Sequence, residues 1–438
     1  MLNIQKRLSN AFYLILGMPA TAMGFALCVQ ISALSWILST KYDLKIEEIG
    51  IVWASGPLAG LIMQLLVGLL SDNTWFWGGR RRPFILIGGT IAALMLLCLP
   101  NLDNIQKLFG ADSLVPVALA VAMTLDLAIN LGFNPTRSII TDVTPDGKAR
   151  TKGYTYMQTI SGTMGVLAYF IGAWFNNYTL IYVGVFIVLA FSIIPVFFIE
   201  EPKTLQADTT DAEINALDVT AHTQKAEINE LIKIYLANAF SWIGVQTMFV
   251  FMFAYAVQIL FHTNDSSTLT DAQNDETGKI INYSFLILNA VGAIFPAFVL
   301  EPLTKKFGRI NVQSTAILIM SVGYACIVFF GKNVVSLYMC MAICGIGWAA
   351  IVSLPFAIMS EKVNKQRMGL FMGIFNMSIV IPQLLVSLLI AQFISDAENK
   401  NIIFEISAAS LFISFLFWRW VKEPKQKSDS AQIPHASH

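Results

Sequence analysis

The chain has 438 residues, 56% of them hydrophobic and only 13% charged, with a formal net charge of zero. A soluble domain carries about 25% charged residues, so this composition excludes a water-soluble globular protein. The charge balance also argues against a nucleic-acid partner.

Apolar runs of about 20 residues recur along the whole chain, each long enough to cross a hydrocarbon core of about 30 Å as a helix. Twelve spans are predicted, at 11–38, 48–70, 84–100, 114–137, 153–175, 179–199, 232–260, 280–302, 311–330, 335–358, 369–394 and 401–420. Lipid offers no partner to an open backbone, so each span must be a helix. Lys6 and Arg7 precede the first span as they would a signal peptide, but its length and the spans behind it predict an uncleaved helix.

The basic residues orient the bundle. With the amino terminus cytoplasmic, 22 of the 28 Lys and Arg fall on that side; Lys41, Lys45, Lys107, Lys279, Lys332 and Lys400 fall outside. The positive-inside rule then predicts a multi-pass protein of the cell (inner) membrane with both termini cytoplasmic.

The polar stretch from Glu200 to about Lys233 divides the spans six and six. It predicts an N-terminal half at 1–200, a cytoplasmic linker at 201–231 and a C-terminal half at 232–438 that ends in a cytoplasmic tail. A weak repeat supports the division. Leu69-Leu70-Ser71-Asp72 with Gly79-Arg80-Arg81-Arg82 joins spans 2 and 3, and Pro302-Leu303-Thr304-Lys305-Lys306-Phe307-Gly308-Arg309 joins spans 8 and 9. Two six-helix halves with parallel repeats make an all-α membrane protein of the major facilitator type, whose substrate site lies between the halves near the midplane.

Asp126 stands out within the fourth span. It lies 11 residues past Val115, roughly 16 Å at ~1.5 Å per residue, and so close to the bilayer centre. An ionised carboxylate there is costly and marks a proton or substrate path. The bland alternative is a protonated Asp that only packs against a neighbouring helix. Asn130, Asn134 and Arg137 follow at helical spacing and extend a polar stripe towards the cytoplasm. One proton descending a typical membrane potential, at ~2.3 kcal/mol per 100 mV, supports roughly a few hundredfold accumulation, so one acid suffices for coupling.

A sugar needs hydrogen-bond partners for its hydroxyls and flat apolar faces for its rings. The chosen candidates are Asn130, Gln158, Trp242, Gln246, Asn376 and Gln383, from a wider set with Gln30, Gln64, Tyr154, Asn289 and Trp348. Each taken singly also reads as an ordinary interhelical hydrogen bond or interface aromatic. Asp72, Arg80, Arg81, Arg82, Arg137 and Asp142 form a candidate conformational latch, with Asp72–Arg137 as its central pair. The competing reading is a set of solvated anchors.

Three segments resemble a known family. Ser71-Asp72 to Gly79-Arg80-Arg81-Arg82-Pro83 is similar to the loop of sucrose–proton symporters and their bacterial relatives, the glycoside–pentoside–hexuronide:cation symporter type. Leu125-Asp126 to Asp142 resembles their fourth helix and the loop after it. Gly345-Ile-Gly347-Trp348 to Pro355, followed by Met368 to Gln383, resembles helices 10 and 11 of the bacterial branch. The resemblance implies proton-coupled import of a di- or oligosaccharide by a monomer, with Asp126 as proton carrier. One departure is the fifth span, which lacks the positive charge that plant members carry.

No cofactor beyond the coupling proton, no metal and no enzymatic activity is expected. There is no Gly-x-x-x-x-Gly-Lys phosphate loop, and the cysteines and histidines form no ligand set. Asn177-Tyr-Thr179 matches a glycosylation sequon. The alternative is a proton-coupled exporter of a drug or metabolite; the fifth span has Gly162 and Gly165 but lacks the Gly-Pro pair common in such antiporters.

Overall fold

The computed structural model describes residues 3–63, 75–145, 148–202, 228–331, 333–362 and 368–422. Twelve long helices account for nearly all of it. The first six are α1 (Asn10–Thr40), α2 (Ile46–Met63), α3 (Arg82–Cys98), α4 (Leu114–Val143), α5 (Lys148–Trp174) and α6 (Asn177–Phe198). The second six are α7 (Ile228–Phe261), α8 (Asp271–Phe295), α9 (Arg309–Phe330), α10 (Val334–Glu361), α11 (Met368–Leu385) and α12 (Ile402–Trp420).

Eleven of the described helices are long and apolar enough to cross a membrane; α5 is not among them. Its first half, with Lys148, Arg150, Lys152, Gln158 and several threonines, dilutes the apolar content. It packs instead against α1 within its own half and α8 of the other. The protein is thus a multi-pass membrane protein of twelve helices in two six-helix halves.

Element ends follow local chemistry. Ser9, Ser113, Asn176 and Asn333 cap α1, α4, α6 and α10 with side-chain oxygens on early backbone N–H groups. The fourth helix runs past the expected end at 137 to Val143, because Ser138 to Asp142 continue the helical turn beyond the apolar stretch. Two helices change pitch: α8 passes through a π-helical turn at Pro296–Leu300, and α11 through another at Val386–Ile390. Such turns follow an internal proline or mark a site of function.

Within each half the helices pack closely: α1 on α5 and α6, α3 on α4 and α6, α7 on α12, and α9 on α10 and α12. Between halves the close pairs are α5 with α8 and α2 with the continuation of α11. Glycines set both approaches. A Cβ at Gly172 would overlap the Asn282 amide, and one at Gly50 would overlap the Ser387 carbonyl.

Candidate functional site

Asp126 is 5% exposed in the middle of α4. The Ser55 hydroxyl of α2 donates to its Oδ2 at 2.7 Å. The Gln30 amide of α1 faces the same carboxylate, and Gln30 Oε1 has no hydrogen-bond partner among the described residues. Gly56 lies against the carboxylate and leaves room for it. Asn130, one turn on, returns its amide to the Asp126 backbone carbonyl at 2.8 Å. Three helices of one half therefore converge on a single acid, and among the described residues no basic side chain is hydrogen-bonded to it.

The carboxylate is connected to the seam between the halves through short steps along α1 and α2. Trp53, two residues before Ser55, donates its indole N–H to Ser35 Oγ at 2.8 Å, and Ser35 donates to the Val250 carbonyl of α7 at 2.8 Å. Ser32, two residues after Gln30, hydrogen-bonds Asn282 of α8 and reaches Asn177 of α6 at 3.2 Å. Asn282 in turn donates to Asn177 Oδ1 at 2.7 Å. These three side chains are at most 2% exposed, a neutral polar triad sealed between the halves.

Further cross-half bonds lie beyond the triad. Trp36 Nε1 donates to the Asn274 carbonyl at 2.7 Å, Ser39 and Ser266 share a hydrogen bond of 2.9 Å, and Ser395 donates to Glu47. All these contacts occupy the end of the bundle away from the chain termini, so that end is closed.

The C-terminal half contributes an aromatic wall. Trp242 meets Trp348 edge-on at 6.3 Å, Phe249 meets Trp348 at 5.5 Å and Phe285 at 5.2 Å, and Phe285 meets Tyr169 of α5 at 5.8 Å. Trp348 is held by Nε1 donation to Asn289 at 3.2 Å. On α7, one turn from Trp242, Gln246 accepts from Gln383 at 3.1 Å. The structure thus brings Trp242, Gln246 and Gln383 together, and places Asn130 with Asp126. Gln158 is exposed on α5 and Asn376 half-buried on α11, two turns before Gln383.

At the terminal end, Asp72 and Gln64 lie outside the described residues, so the Asp72–Arg137 pair is not seen. Arg137 is exposed, with its guanidinium 6.0 Å from the Phe133 ring centre, and its carbonyl accepts from Tyr154 at 3.3 Å. Arg81 pairs instead with Asp142 at 3.1 Å, both nearly buried. Glu201 gathers the backbone N–H groups of Arg80, Arg81 and Arg82 at 2.7, 2.8 and 2.8 Å, placing an anion at the positive end of α3. Arg82 also donates to the Val196 carbonyl. These bonds all lie within the N-terminal half and the first residue of the linker.

Sequence reasoning missed Ser55, the Ser32–Asn177–Asn282 triad and Glu201. One signal was legible: Glu201-Pro202-Lys203 after the sixth span recurs as Glu423-Pro424-Lys425 after the twelfth.

Residues 14–387 match the Major Facilitator Superfamily. Among curated proteins, the chain is similar to the sucrose transport protein SUT2 of Oryza sativa subsp. indica, 27% identical over 425 residues that cover 81% of this chain and 82% of that one. It is 25% identical over 414 residues to the sucrose transport protein SUC4 of Arabidopsis thaliana, covering 81% and 79%. The fold matches the nucleoside transporter NupG, with a TM-score of 0.68 at 12% identity over 94% of this chain and 100% of that one. It also matches the inward-open xylose transporter XylE from E. coli, with a TM-score of 0.66 at 16% identity over 95% and 97%. The resemblance to the sucrose-symporter branch read from the three segments agrees with these relatives.

Proposed function

The chain belongs to the Major Facilitator Superfamily, and from that premise we propose that it imports a di- or oligosaccharide of the sucrose or maltose type together with a proton. The observation that carries this reading is the Asp126 carboxylate, buried in α4 between Ser55 and Gln30. A buried acid without a hydrogen-bonded cation is costly as an anion, so proton exchange there changes the energy of the surrounding helices. The triad and the Trp53–Ser35–Val250 chain give that change a route to the seam.

Sugar binding is assigned to Asn130, Gln158, Trp242, Gln246, Asn376 and Gln383. The unpaired Gln30 Oε1 supplies an acceptor for a hydroxyl next to the proton carrier, and the Trp242–Trp348 wall supplies apolar faces for the rings. The halves 1–200 and 232–438 rock about this site as a monomer in the cell membrane, joined by the 201–231 linker. With both termini cytoplasmic, the closed end is external. Arg80, Arg81, Arg82, Asp142 and Arg137, with Asp72, serve as the latch on the cytoplasmic side.

The test is uptake of labelled sucrose and maltose into proteoliposomes under an inward proton gradient, comparing the native chain with Asp126→Asn. Accumulation lost in the variant while sugar exchange survives supports the reading. Accumulation that persists moves coupling away from Asp126, and no uptake of either sugar sinks the disaccharide assignment.

A further inference from the structure

A cavity of about 430 Å³ lies in the carboxy-terminal half at the end that holds the termini, remote from Asp126. Phe295 of α8, Phe307 of the short helix Glu301–Phe307, Ala316 and Ile319 of α9, and Ile346 of α10 form its apolar walls, and Arg419 of α12 stands at its rim. Helix α9 packs on α10 and α12. Its remaining face, marked by Asn311, Thr315, Val322 and Phe329, is exposed. On the outside of a membrane bundle that face meets lipid, and Asn311 and Thr315 also line the cavity.

The mouth is basic. Arg419 is exposed and donates from Nη1 to Asn311 Oδ1 at 3.0 Å, which fixes its guanidinium over the opening. The Lys306 ammonium lies 5.1 Å from the centre of the Phe307 ring, itself part of the wall. The segment 301–309 adds Lys305 and Arg309 against a single acid, Glu301. An apolar interior of this size with a cationic rim at the membrane surface does not suit a sugar, which would find only Asn311 and Thr315 as side-chain amide or hydroxyl partners.

We propose that this cavity is a binding site for an anionic phospholipid of the surrounding bilayer, with the phosphate between Arg419 and Lys306 and one acyl chain in the apolar interior. The planar guanidinium fork matches phosphate oxygens in pairs. Basic pockets between transmembrane helices hold anionic headgroups for the same reason. The apolar walls exclude water and leave the chain as the better occupant. Because α8 bends through its π-helical turn immediately before this segment, an occupied site would brace the α8–α9 connection.

The experiment is native mass spectrometry of the purified full chain in a neutral detergent, titrated with phosphatidylglycerol or phosphatidylcholine. The first phosphatidylglycerol adduct is expected at about tenfold lower concentration than the phosphatidylcholine adduct, equivalent to ~1.4 kcal/mol. Arg419→Gln combined with Lys306→Gln removes that preference. Ala316→Phe, which fills the interior, weakens both lipids. Both charged side chains are exposed, so the charge variant tests the site even where the core variant fails to fold. Equal binding of the two lipids by the native chain, a preference that survives in the charge variant, or displacement of the adduct by free glycerol phosphate would overturn the proposal.

Discussion

Ser55 on α2 donates its hydroxyl to Oδ2 of Asp126 on α4 at 2.7 Å, and so ties the candidate proton carrier to a neighbouring helix. A hydrogen bond to a charged acceptor contributes about 1.5–3 kcal/mol. Ser55→Ala should therefore slow gradient-driven sugar uptake by about tenfold or more, with sugar exchange at equal pH much less affected. Parallel flux assays in proteoliposomes check this. Equal loss in both modes would mean that Ser55 supports the fold and not the coupling.

Gly172 permits α5 to close on α8 because a side chain there would meet the Asn282 amide. Gly172→Val should hold the far end apart and abolish net transport. An impermeant maleimide should then label a cysteine placed at Ser39, which is buried in the closed state. Unchanged labelling together with normal transport would count against this closure.

The Ser32–Asn177–Asn282 triad closes the same end with uncharged groups. Interhelical hydrogen bonds in membranes average only about 0.6 kcal/mol each. Removing two through Asn282→Ala should shift the closed–open equilibrium by about fivefold to tenfold. Distance measurements between spin labels on α1 and α8 would report the shift. The effect should be independent of salt, since neutral amides are not screened as ions are.

Glu201 caps α3 through three backbone N–H groups. Glu201→Ala should destabilise the amino-terminal half by about 1–2 kcal/mol through the lost cap and helix-dipole interaction. Thermal unfolding of the purified chain reads this directly. Asp142→Asn should act at the same corner by removing the charge that Arg81 meets at 3.1 Å.

Much of the fold was legible because lipid imposes a simple rule: apolar length makes a helix. Eleven of the twelve helices follow from it, α5 being the less apolar exception, and Asp126 stands out by violating it. The partners of Asp126 were hidden for a different reason. Ser55 is a small residue in an apolar stretch, and only the rotation of α2 against α4 brings it to the acid. Ser32 meets Asn177 and Asn282 across 145 and 250 residues of sequence, which no local pattern encodes. In sequence, Asn177 reads as a glycosylation sequon; in the structure it is 1% exposed and sealed by its neighbours. The arginines near Gly79 signalled a charged corner, but the backbone N–H groups that Glu201 captures carry no sequence signature.

The polarity of α5 bears on how the chain is made. This helix is less apolar than the other long helices, and α1, already synthesised, is its first packing partner. The other, α8, emerges from the ribosome only after the linker and α7 have been synthesised. Until then the face of α5 meant for α8 has no protein to cover it. Biogenesis of this protein therefore includes an interval in which its least lipophilic helix waits for the second half, and a truncation before α8 would leave that helix exposed to membrane quality control.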